Sequence, residues 1–508
     1  MSEVMISPRV AEAPLVLTLD VGSSSVRSML FDRLGRAVKG IKVREQYRLE
    51  TPETGAAEIE PDVLLERAFG CLDGLLDRAG RLAGQIGGVG ISTLVSNLLG
   101  VDGHGRTTTP VYTYADTRAE SDAAFLRSQL NEPDVHNRTG CRLHTSYLPA
   151  RFLWLARTRP IAFRRTKHWI TIGEYIFQRL FGRTKVSYSV ASWSGLLDRS
   201  QLAWDEPLLE FLPISKEQLS TLTDADQPLI GLRGEFAHRW PQLRDIPWFP
   251  AIGDGAASNI GIGCVSSRRI ALSLGTSAAL RVMMKARIDE LPSSLWCYRL
   301  DRQQSLLGGA LTEGGNVLDW MTDILDVGKK SQLHTALCAM EPDSHNLTVL
   351  PFLAGERSPG WAGYARGAIQ GLSLNTRPVD ILRAGLEAVA LRLALVYDDI
   401  LGFVPSLEQV VASGGAISHL PAWLQIIADA LGQPIAASGI TEASSRGVAI
   451  LVLEAIGEFP QAGDTPDDVN VVYQPDDRWH QRYRSALVRQ QALYERLINH
   501  KCDGPFNQ

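Results

Sequence analysis

Short apolar runs separated by polar turns characterise the start of the chain. Each run has the length of a strand and is rich in strand-forming residues, and a turn of glycine and serine follows the first of them. From Pro61 onward the apolar residues recur instead at helical steps of three and four. The pattern predicts, in order, strands over 15–21, 26–31 and 37–47, a helix that begins at Pro61, and a strand over 86–92.

The beginning of this pattern recurs in the second half of the chain. Segment 19–27 contains a strand end, a Gly-Ser-Ser turn and the start of a second strand, and segment 272–284 repeats it with a Gly-Thr-Ser turn. The repeat predicts an α/β protein with two lobes on either side of a cleft, divided near 263–268, where Gly, Ser and Arg cluster. Ligands are expected between the lobes.

Three further segments have helical patterns. The stripes of apolar residues in 382–400 and 420–431 predict helices that belong to the core. Segment 482–499 is typical of a helix packed on the surface, and it carries no functional signal.

Composition and charge narrow the class of protein. The chain has 508 residues, 45% hydrophobic and 21% charged, which is typical of a globular protein of two or more domains. Its net charge of −5, without long charged runs, argues against nucleic acid as the main partner. The six cysteines form no CxxC pair or zinc-ligand cluster, and neither a signal peptide nor a membrane-length apolar run is present. We expect a reduced, soluble, cytoplasmic protein.

The two glycine turns are candidate phosphate sites. Successive backbone N–H groups and hydroxyls in such a turn form a small concave surface that holds an anion. A tight turn without a ligand is the competing interpretation for one copy, but the second copy favours two turns that hold the successive phosphates of a nucleotide. The residues concerned are Gly22, Ser23, Ser24, Gly275, Thr276 and Ser277.

Two acidic residues are candidates for chemistry beside these turns. Asp20 lies just before the first turn, where the second half has Ser273, so only one lobe offers a carboxylate suited to the hydration shell of Mg²⁺. Asp254 lies between two glycines and is placed to accept a proton from a substrate hydroxyl. For each of them a plain role in closing a turn is the alternative.

A third glycine loop follows the predicted strand near 411–413. Its residues Gly414, Gly415 and Ala416 present flat backbone before a helix, which suits the adenosine part or the phosphates of a nucleotide. Neither GxGxxG nor GxxxxGK[ST] occurs in the chain. From the residues alone, Asp116 and His144 are polar loop residues that satisfy their own hydrogen bonds.

Taken together, the motifs resemble the FGGY carbohydrate kinases, which belong to the actin-like ATPase superfamily and have two ribonuclease H-like lobes. The resemblance extends over nearly the whole chain. It rests on the motifs at 20–25, 90–92, 115–118, 253–255, 274–277, 355–359 and 413–416, with a further similarity in the Gly-Gly segment 314–320.

The resemblance implies roles for individual residues. It implies that Asp254 is the catalytic base, that Asp20 supports Mg²⁺, and that the two glycine turns hold the phosphates of ATP. Gly315 and Gly415 are expected to line the adenosine site. A sugar-binding lobe over 14–264 and an ATP-binding lobe over 265–495 follow from the same resemblance.

The substrate is expected to be gluconate, phosphorylated to 6-phosphogluconate. Segment 113–118 is similar to the Thr-Trp-Ala-Asp-x-Arg of the gluconate kinase branch, and 139–144 to its Thr-Gly-x-x-x-His. The Met-His usual in that branch is replaced by Val95-Ser96, so xylulose or another pentulose or polyol remains an alternative. The expected substrate contacts are Ser96, Asn97, Asp116 and His144.

Two other classes of protein are alternatives to a kinase. An actin-like ATPase that acts as a switch keeps the fold, but the substrate-side loops and Asp254 argue against it. A sugar-responsive transcription regulator needs a helix-turn-helix, and the 13 residues before the first strand do not hold one. A homodimer is a possible assembly.

Overall fold

A computed structural model describes residues 5–285, 288–327, 330–404, 406–415, 420–458 and 469–499. Ala416 of the third glycine loop lies outside these residues.

The first of two large sheets is built from the beginning of the chain. Its central strand, Leu15–Val21, is buried along its whole length. That strand pairs antiparallel with its successor and parallel with Ile86–Thr93. The strand order is Met5–Ile6, Ala37–Gln46, Ser25–Phe31, Leu15–Val21, Ile86–Thr93 and Ile252–Gly253.

The second sheet repeats this arrangement. In both sheets three antiparallel strands are followed by two parallel ones, because Arg269–Leu274 pairs antiparallel with its successor and parallel with Gln409–Ser413. The strand order is Trp296–Arg299, Ser305–Leu311, Ala278–Met284, Arg269–Leu274, Gln409–Ser413, Ile435–Ser438 and Val469–Tyr473. The duplicated α/β architecture predicted from the repeated turn is therefore confirmed.

Helices cover the two sheets. Pro61–Ala79 begins with proline at its first turn, as expected, and buries an apolar stripe on the first sheet. Pro378–Leu401 and Pro421–Leu431 correspond to the two predicted core helices. The remaining α-helices are Glu120–Gln129, Glu132–Thr139, Leu148–Thr158, Pro160–Arg165, Ile172–Phe181, Tyr188–Ser192, Glu206–Phe211, Gly234–Arg239, Asp254–Gly261, Gly315–Ile324, Lys330–Cys338, Ala443–Ala455 and Asp477–Tyr494.

Shorter elements complete the fold. Short 3₁₀- or π-helices cover Gly80–Gln85, Lys216–Gln218, Pro241–Leu243 and Glu495–Asn499. Two-stranded pairs are formed by Glu58–Ile59 with Val111–Tyr112, Leu99–Val101 with His168–Ile170, Val186–Ser187 with Leu222–Thr223, Leu197–Asp198 with Ala203–Trp204, and Thr348–Leu350 with Ala368–Gln370.

One helix of the second half packs on the first sheet. Ala443–Ala455 crosses Asp254–Gly261, and its Val448 and Val452 fill the space that side chains at Gly88 and Gly90 would occupy. At the crossing, a Cβ on Gly447 would overlap the carbonyl oxygen of Ala257. Glycine at this crossing therefore lets the two backbones touch.

The edge strand Trp296–Arg299 of the second sheet is covered by the first half. The N–H of Cys297 donates to the carbonyl oxygen of Gly140 at 3.1 Å, and the hydroxyls of Tyr147 and Tyr298 lie 2.6 Å apart. Gly140 has a φ of +73°, and a Cβ on it would overlap the carbonyl oxygen of Cys297. The Thr-Gly motif at 139–140 thus has a structural role in joining the two halves.

No helix in the described part of the chain is long and apolar enough to cross a bilayer. Within the described residues the cysteines form no disulfide, and four of them are buried.

Candidate active site

The two glycine turns occupy equivalent positions at the ends of the first strands of the two sheets. Gly22 donates its N–H to the carbonyl oxygen of Ser25, and Gly275 donates to that of Ser277, each at 3.0 Å. The second turn is one residue shorter, because Val21 pairs with Val26 whereas Leu274 pairs with Ala278.

The middle residues of both turns are exposed. Among the described residues, no acceptor binds the backbone N–H groups of Ser23, Ser24, Thr276 and Ser277. Each turn therefore presents free donors to the cleft, which suits phosphate oxygens.

The predicted adenosine residues gather around the second turn. Gly315, at the start of helix Gly315–Ile324, donates its N–H to the carbonyl oxygen of Gly275 at 2.7 Å. Gly414 has a φ of +120°, and a Cβ on it would overlap the carbonyl oxygen of Leu274. Gly415 is exposed, and apart from its chain neighbours no atom of the described residues lies within 4 Å of the position of a Cβ on it. Three separate glycine segments thus form one open backbone surface.

Asp20 is buried beneath the first turn. Its Oδ1 accepts a hydrogen bond from the Ser92 hydroxyl at 2.7 Å, and its Oδ2 lies 3.3 Å from Nε of Arg27. Burial raises the pKa of Asp20, while the positive charge of Arg27 and the bond from Ser92 oppose that rise. The carboxylate is held in one orientation by these two contacts.

Asp254 is the first residue of helix Asp254–Gly261, directly after the short strand Ile252–Gly253. Its Oδ1 accepts a hydrogen bond from the N–H of Gly255 at 2.8 Å. Burial and the negative charge of Asp20 raise the pKa of Asp254 to about 6, while Arg281 and Arg27 act in the opposite direction. A partly ionised carboxylate of this kind suits a general base near neutral pH.

The two arginines near Asp254 are functional candidates that the sequence reasoning missed. Arg27 lies opposite Asp20 in the first sheet. In the second sheet, Nη1 of Arg281 donates to the hydroxyl of Ser273, the residue that occupies the position equivalent to Asp20, at 2.7 Å. Both repeats carry one arginine in their second strand, Arg27 and Arg281, and this shared feature was the available signal in the sequence.

His144 faces the second half across the cleft. Its Nδ1 accepts the N–H of Ser146 at 3.1 Å, so the neutral ring carries its proton on Nε2, which points toward Gly363. Burial, with the charge of Arg357, lowers the pKa of His144 to about 3. The ring lies edge-on to Trp361, with centroids 5.4 Å apart. His144 is therefore a neutral donor at the cleft.

The other three predicted substrate residues are engaged within the protein. Ser96 has a φ of +52° and donates its hydroxyl to the carbonyl oxygen of Trp193 at 2.6 Å. Asn97 is fully buried, with Nδ2 on the Leu94 carbonyl and Oδ1 on the N–H of Ile172. Asp116 forms a buried ion pair with Arg118 at 2.6 Å.

Trp193 is a second residue that the sequence did not reveal. Its ring stacks on Tyr298 of the second half with centroids 3.7 Å apart. Its buried Nε1–H has no acceptor among the described residues and lies 3.0 Å from the position of a Cβ on Gly253. The indole therefore forms a wall beside Asp254, and its signal was hidden because a lone tryptophan is usually a core residue.

The chain is similar over nearly its full length to known sugar and sugar-acid kinases. The chain is 27% identical over 491 residues to the gluconokinase of Bacillus subtilis (strain 168), covering 93% of this chain and 94% of that one. It is also 27% identical to a glycerol kinase of Aromatoleum aromaticum, covering 87% and 90%. The crystal structure of gluconate kinase from Lactobacillus acidophilus superposes with a TM-score of 0.89 at 24% identity, over 96% and 98%. The protein is a carbohydrate kinase.

Models of one family match both halves of the chain. The N-terminal domain of the FGGY family of carbohydrate kinases matches residues 15–261, and the C-terminal domain of that family matches residues 270–455. The chain belongs to the FGGY family of carbohydrate kinases, which confirms the resemblance seen in the motifs. Membership implies ATP as a substrate, and it argues against the ATPase switch and the transcription regulator.

Proposed function

We propose that the protein transfers the terminal phosphoryl group of ATP to the terminal hydroxyl of gluconate, giving 6-phosphogluconate and ADP. The observation that carries this proposal is Asp254, a carboxylate with a raised pKa that lies within electrostatic reach of Asp20. The similarity to gluconokinases over nearly the full length supports the choice of substrate.

ATP is proposed to bind mainly to residues 265–495. The N–H groups of Thr276 and Ser277 bind phosphate oxygens, with those of Ser23 and Ser24 completing the cradle from the other side. Gly315 and Gly414, with Gly415, line the adenosine site, where backbone approaches the ligand closely because no side chain intervenes. Ala416 belongs to the same proposed loop.

The residues present fit a magnesium ion. Asp20 offers a carboxylate that is already oriented by Ser92 and Arg27, next to a turn whose N–H groups face phosphate. We propose that Asp20 would hold Mg²⁺, which when bound would supply positive charge to the phosphates of ATP.

The sugar is proposed to bind within residues 14–264, between Asp254 and His144. Asp254 accepts a hydrogen bond from the terminal hydroxyl and takes its proton as the hydroxyl oxygen attacks phosphorus. His144 donates from Nε2 to a substrate oxygen, and Ser96 sets the position of Trp193 through its bond to the carbonyl. Asn97 and Asp116 act by holding the backbone of this pocket in place.

The test is ADP release by the purified protein with MgATP and a panel of substrates: gluconate, xylulose, ribulose, glycerol, fucose and rhamnulose. We expect strong stimulation by gluconate. Stimulation by xylulose or another pentulose alone would show that the protein is a kinase with a different substrate. No stimulation by any substrate would favour the ATPase switch instead. A homodimer remains a prediction, to be tested on the same purified protein. A cytoplasmic location also remains a prediction, to be tested by cell fractionation.

A further inference from the structure

Arg151 is a buried arginine beside the proposed sugar pocket. It lies near the start of helix Leu148–Thr158 and is 1% exposed. Its guanidinium donates to backbone carbonyl oxygens. Nη1 donates to Ser96 at 2.9 Å, and Nη2 donates to Thr113 at 2.8 Å and to Thr145 at 3.2 Å. One planar group therefore joins three backbone segments that are far apart along the chain.

Two of these segments carry other residues of the proposed sugar site. The Thr113 carbonyl oxygen also accepts the N–H of Asp116 at 3.1 Å, so the oxygen that binds the guanidinium anchors the turn with this carboxylate. Thr145 directly follows His144 in the chain. The guanidinium therefore fixes the backbone next to the proposed imidazole donor as well.

The third contact extends toward the proposed base. Ser96 has a φ of +52°, a left-handed conformation that is uncommon for a residue with a side chain. Arg151 holds its carbonyl oxygen, and its hydroxyl donates to the carbonyl oxygen of Trp193. Nε1 of Trp193 lies 3.0 Å from the position of a Cβ on Gly253, next to Asp254. A shift of Ser96 would therefore move the wall beside Asp254.

The charge of Arg151 is costly to bury. Among the residues that the structure describes, no carboxylate oxygen lies within 4.0 Å of its guanidinium, and nearby Asp116 pairs with Arg118 instead. Burial lowers the pKa of Arg151 to about 10, so the group is still charged at neutral pH. Neutral donors satisfy carbonyl oxygens at a smaller desolvation cost. The fixed fork of the guanidinium, rather than a gain in stability, accounts for an arginine at this position.

We propose that Arg151 is a positioning residue that sets the spacing of the three sugar-side segments and so determines how the sugar is held against Asp254. This inference rests on the proposed function, which places the sugar between these segments. Arg151 touches no substrate in this scheme and acts through the backbone at Ser96, Thr113 and Thr145. Nucleotide binding, proposed for the other lobe, does not depend on it.

The test compares Arg151→Lys and Arg151→Met with the unchanged protein. Lysine keeps the charge but replaces the planar fork by a single ammonium on a flexible stem, whereas methionine removes every donor. In Arg151→Lys we expect kcat/KM for gluconate to fall about 10- to 100-fold, because small displacements from the reacting geometry are costly. The KM for MgATP should stay within about twofold. Arg151→Met should lose more than Arg151→Lys, and if it does not fold, the lysine variant and its control decide.

Arg383→Lys is the matched control. Arg383 is also buried, on helix Pro378–Leu401, where it donates to the Leu337 carbonyl oxygen and pairs with Glu387. We expect the urea midpoint to fall in both lysine variants, but kcat/KM for gluconate to be unchanged in Arg383→Lys. Equal losses of kcat/KM in the two variants would show that Arg151 contributes only stability, and a change confined to the KM for MgATP would also overturn the positioning role.

Failure of this inference is distinguishable from failure of the proposed function. If gluconate is phosphorylated equally well by Arg151→Lys and the unchanged protein, the positioning role is wrong and the function stands. If another sugar of the panel is phosphorylated instead, the gluconate assignment fails, and the same comparison on that sugar decides the role of Arg151. If no sugar is phosphorylated, calorimetry with gluconate decides: binding that weakens in Arg151→Lys but not in Arg383→Lys supports the positioning role, and absence of binding to the unchanged protein overturns both proposals.

Discussion

Asp254 lies among charges of both signs. Burial and Asp20 favour its protonated form, while Arg281 and Arg27 favour the ionised form, and the balance leaves its pKa at about 6. Phosphoryl transfer places little demand on base strength, so the position of this carboxylate matters more than its basicity.

Replacing the carboxylate tests its role directly. Asp254→Asn keeps the shape of the side chain but removes the proton acceptor. We therefore expect kcat to fall by about 10²- to 10⁴-fold. The KM for MgATP should change little, because the nucleotide is proposed to bind the other lobe. Steady-state kinetics of the purified variant, with circular dichroism to confirm folding, provide the measurement. Turnover above one tenth of the original would contradict the assignment.

The pH dependence of the reaction tests the charges around Asp254. Only the ionised form accepts a proton, so kcat/KM should fall about tenfold per unit as the pH drops below about 6. Removing a nearby positive charge in Arg281→Met raises the pKa of Asp254 further, because Arg281 favours ionisation. The acid limb should then shift to higher pH, as pH profiles of the two proteins would show. An unchanged limb would mean that another group titrates.

At the scale of single residues, part of the site could be predicted from the sequence. Asp20, Asp254 and the turn residues were predicted, because glycines beside polar residues stand out in any sequence. Arg27, Arg281 and Trp193 were missed, because they lie within ordinary strand or helix patterns and only the folded chain brings them to the cleft. The engagement of Asn97 and Asp116 with the backbone could not be read from residue type either.

The crossing of helices Asp254–Gly261 and Ala443–Ala455 sets the position of Asp254, the proposed catalytic base. Because Asp254 opens the first of these helices, any shift at the crossing moves its carboxylate. Gly447 and Gly261 each face a carbonyl oxygen of the partner helix, at Ala257 and Ala443. Backbone contact of this kind leaves no space for a side chain.

A methyl group at the crossing should therefore separate the helices. In Gly447→Ala the new Cβ would overlap the Ala257 carbonyl oxygen, and we expect the free energy of unfolding to fall by about 1–3 kcal/mol with a loss of activity. Gly84→Ala is the control, since a Cβ there has no atom within 4 Å and should cost nothing. Urea unfolding of both variants gives the comparison, and equal midpoints would show that the crossing tolerates a side chain.

The predicted elements agree with the structure where apolar periodicity is strong. Strand 15–21, the helix from Pro61 and the helix over 382–400 are confirmed, with ends extended by a few residues. Helix Ala443–Ala455 is absent from the predicted elements, and nothing in its local pattern indicates that it packs on the first sheet. Contacts so distant along the chain leave no periodic signal.

Across the whole molecule, an ionic link joins the two halves beside the site. Glu442, just before helix Ala443–Ala455, accepts from Nη1 of Arg27 at 2.6 Å and also pairs with Lys42. Burial alone would raise the pKa of Glu442, but these two cations lower it below its ordinary value. The same Arg27 contacts Asp20, so the link reaches the proposed metal site.

Glu442→Gln should weaken this link in a pH-dependent way. The folded-state pKa is lowered, so the stabilisation is complete above the ordinary pKa of glutamate and is lost as the pH falls through the folded value. At pH 7 we expect the free energy of unfolding to drop by about 1–2 kcal/mol, less than for a fully buried pair because solvent reaches both groups. Urea midpoints of the two proteins should begin to converge below the ordinary pKa of glutamate and should meet only below the lowered pKa of Glu442; a difference that stays constant through that range would exclude the ionised pair as the cause.

The placement of helix Ala443–Ala455 also constrains how the polypeptide acquires its structure during synthesis. The ribosome releases the strands of the first sheet long before helix Ala443–Ala455 is synthesised. The surface around Gly88 and Gly90 therefore stays uncovered until that helix packs on it. Until then the nascent chain exposes an apolar face that chaperones recognise, and a stop codon after residue 264 would leave that face permanently bare. Biogenesis of the first sheet is thus completed by a segment that is translated much later than its strands.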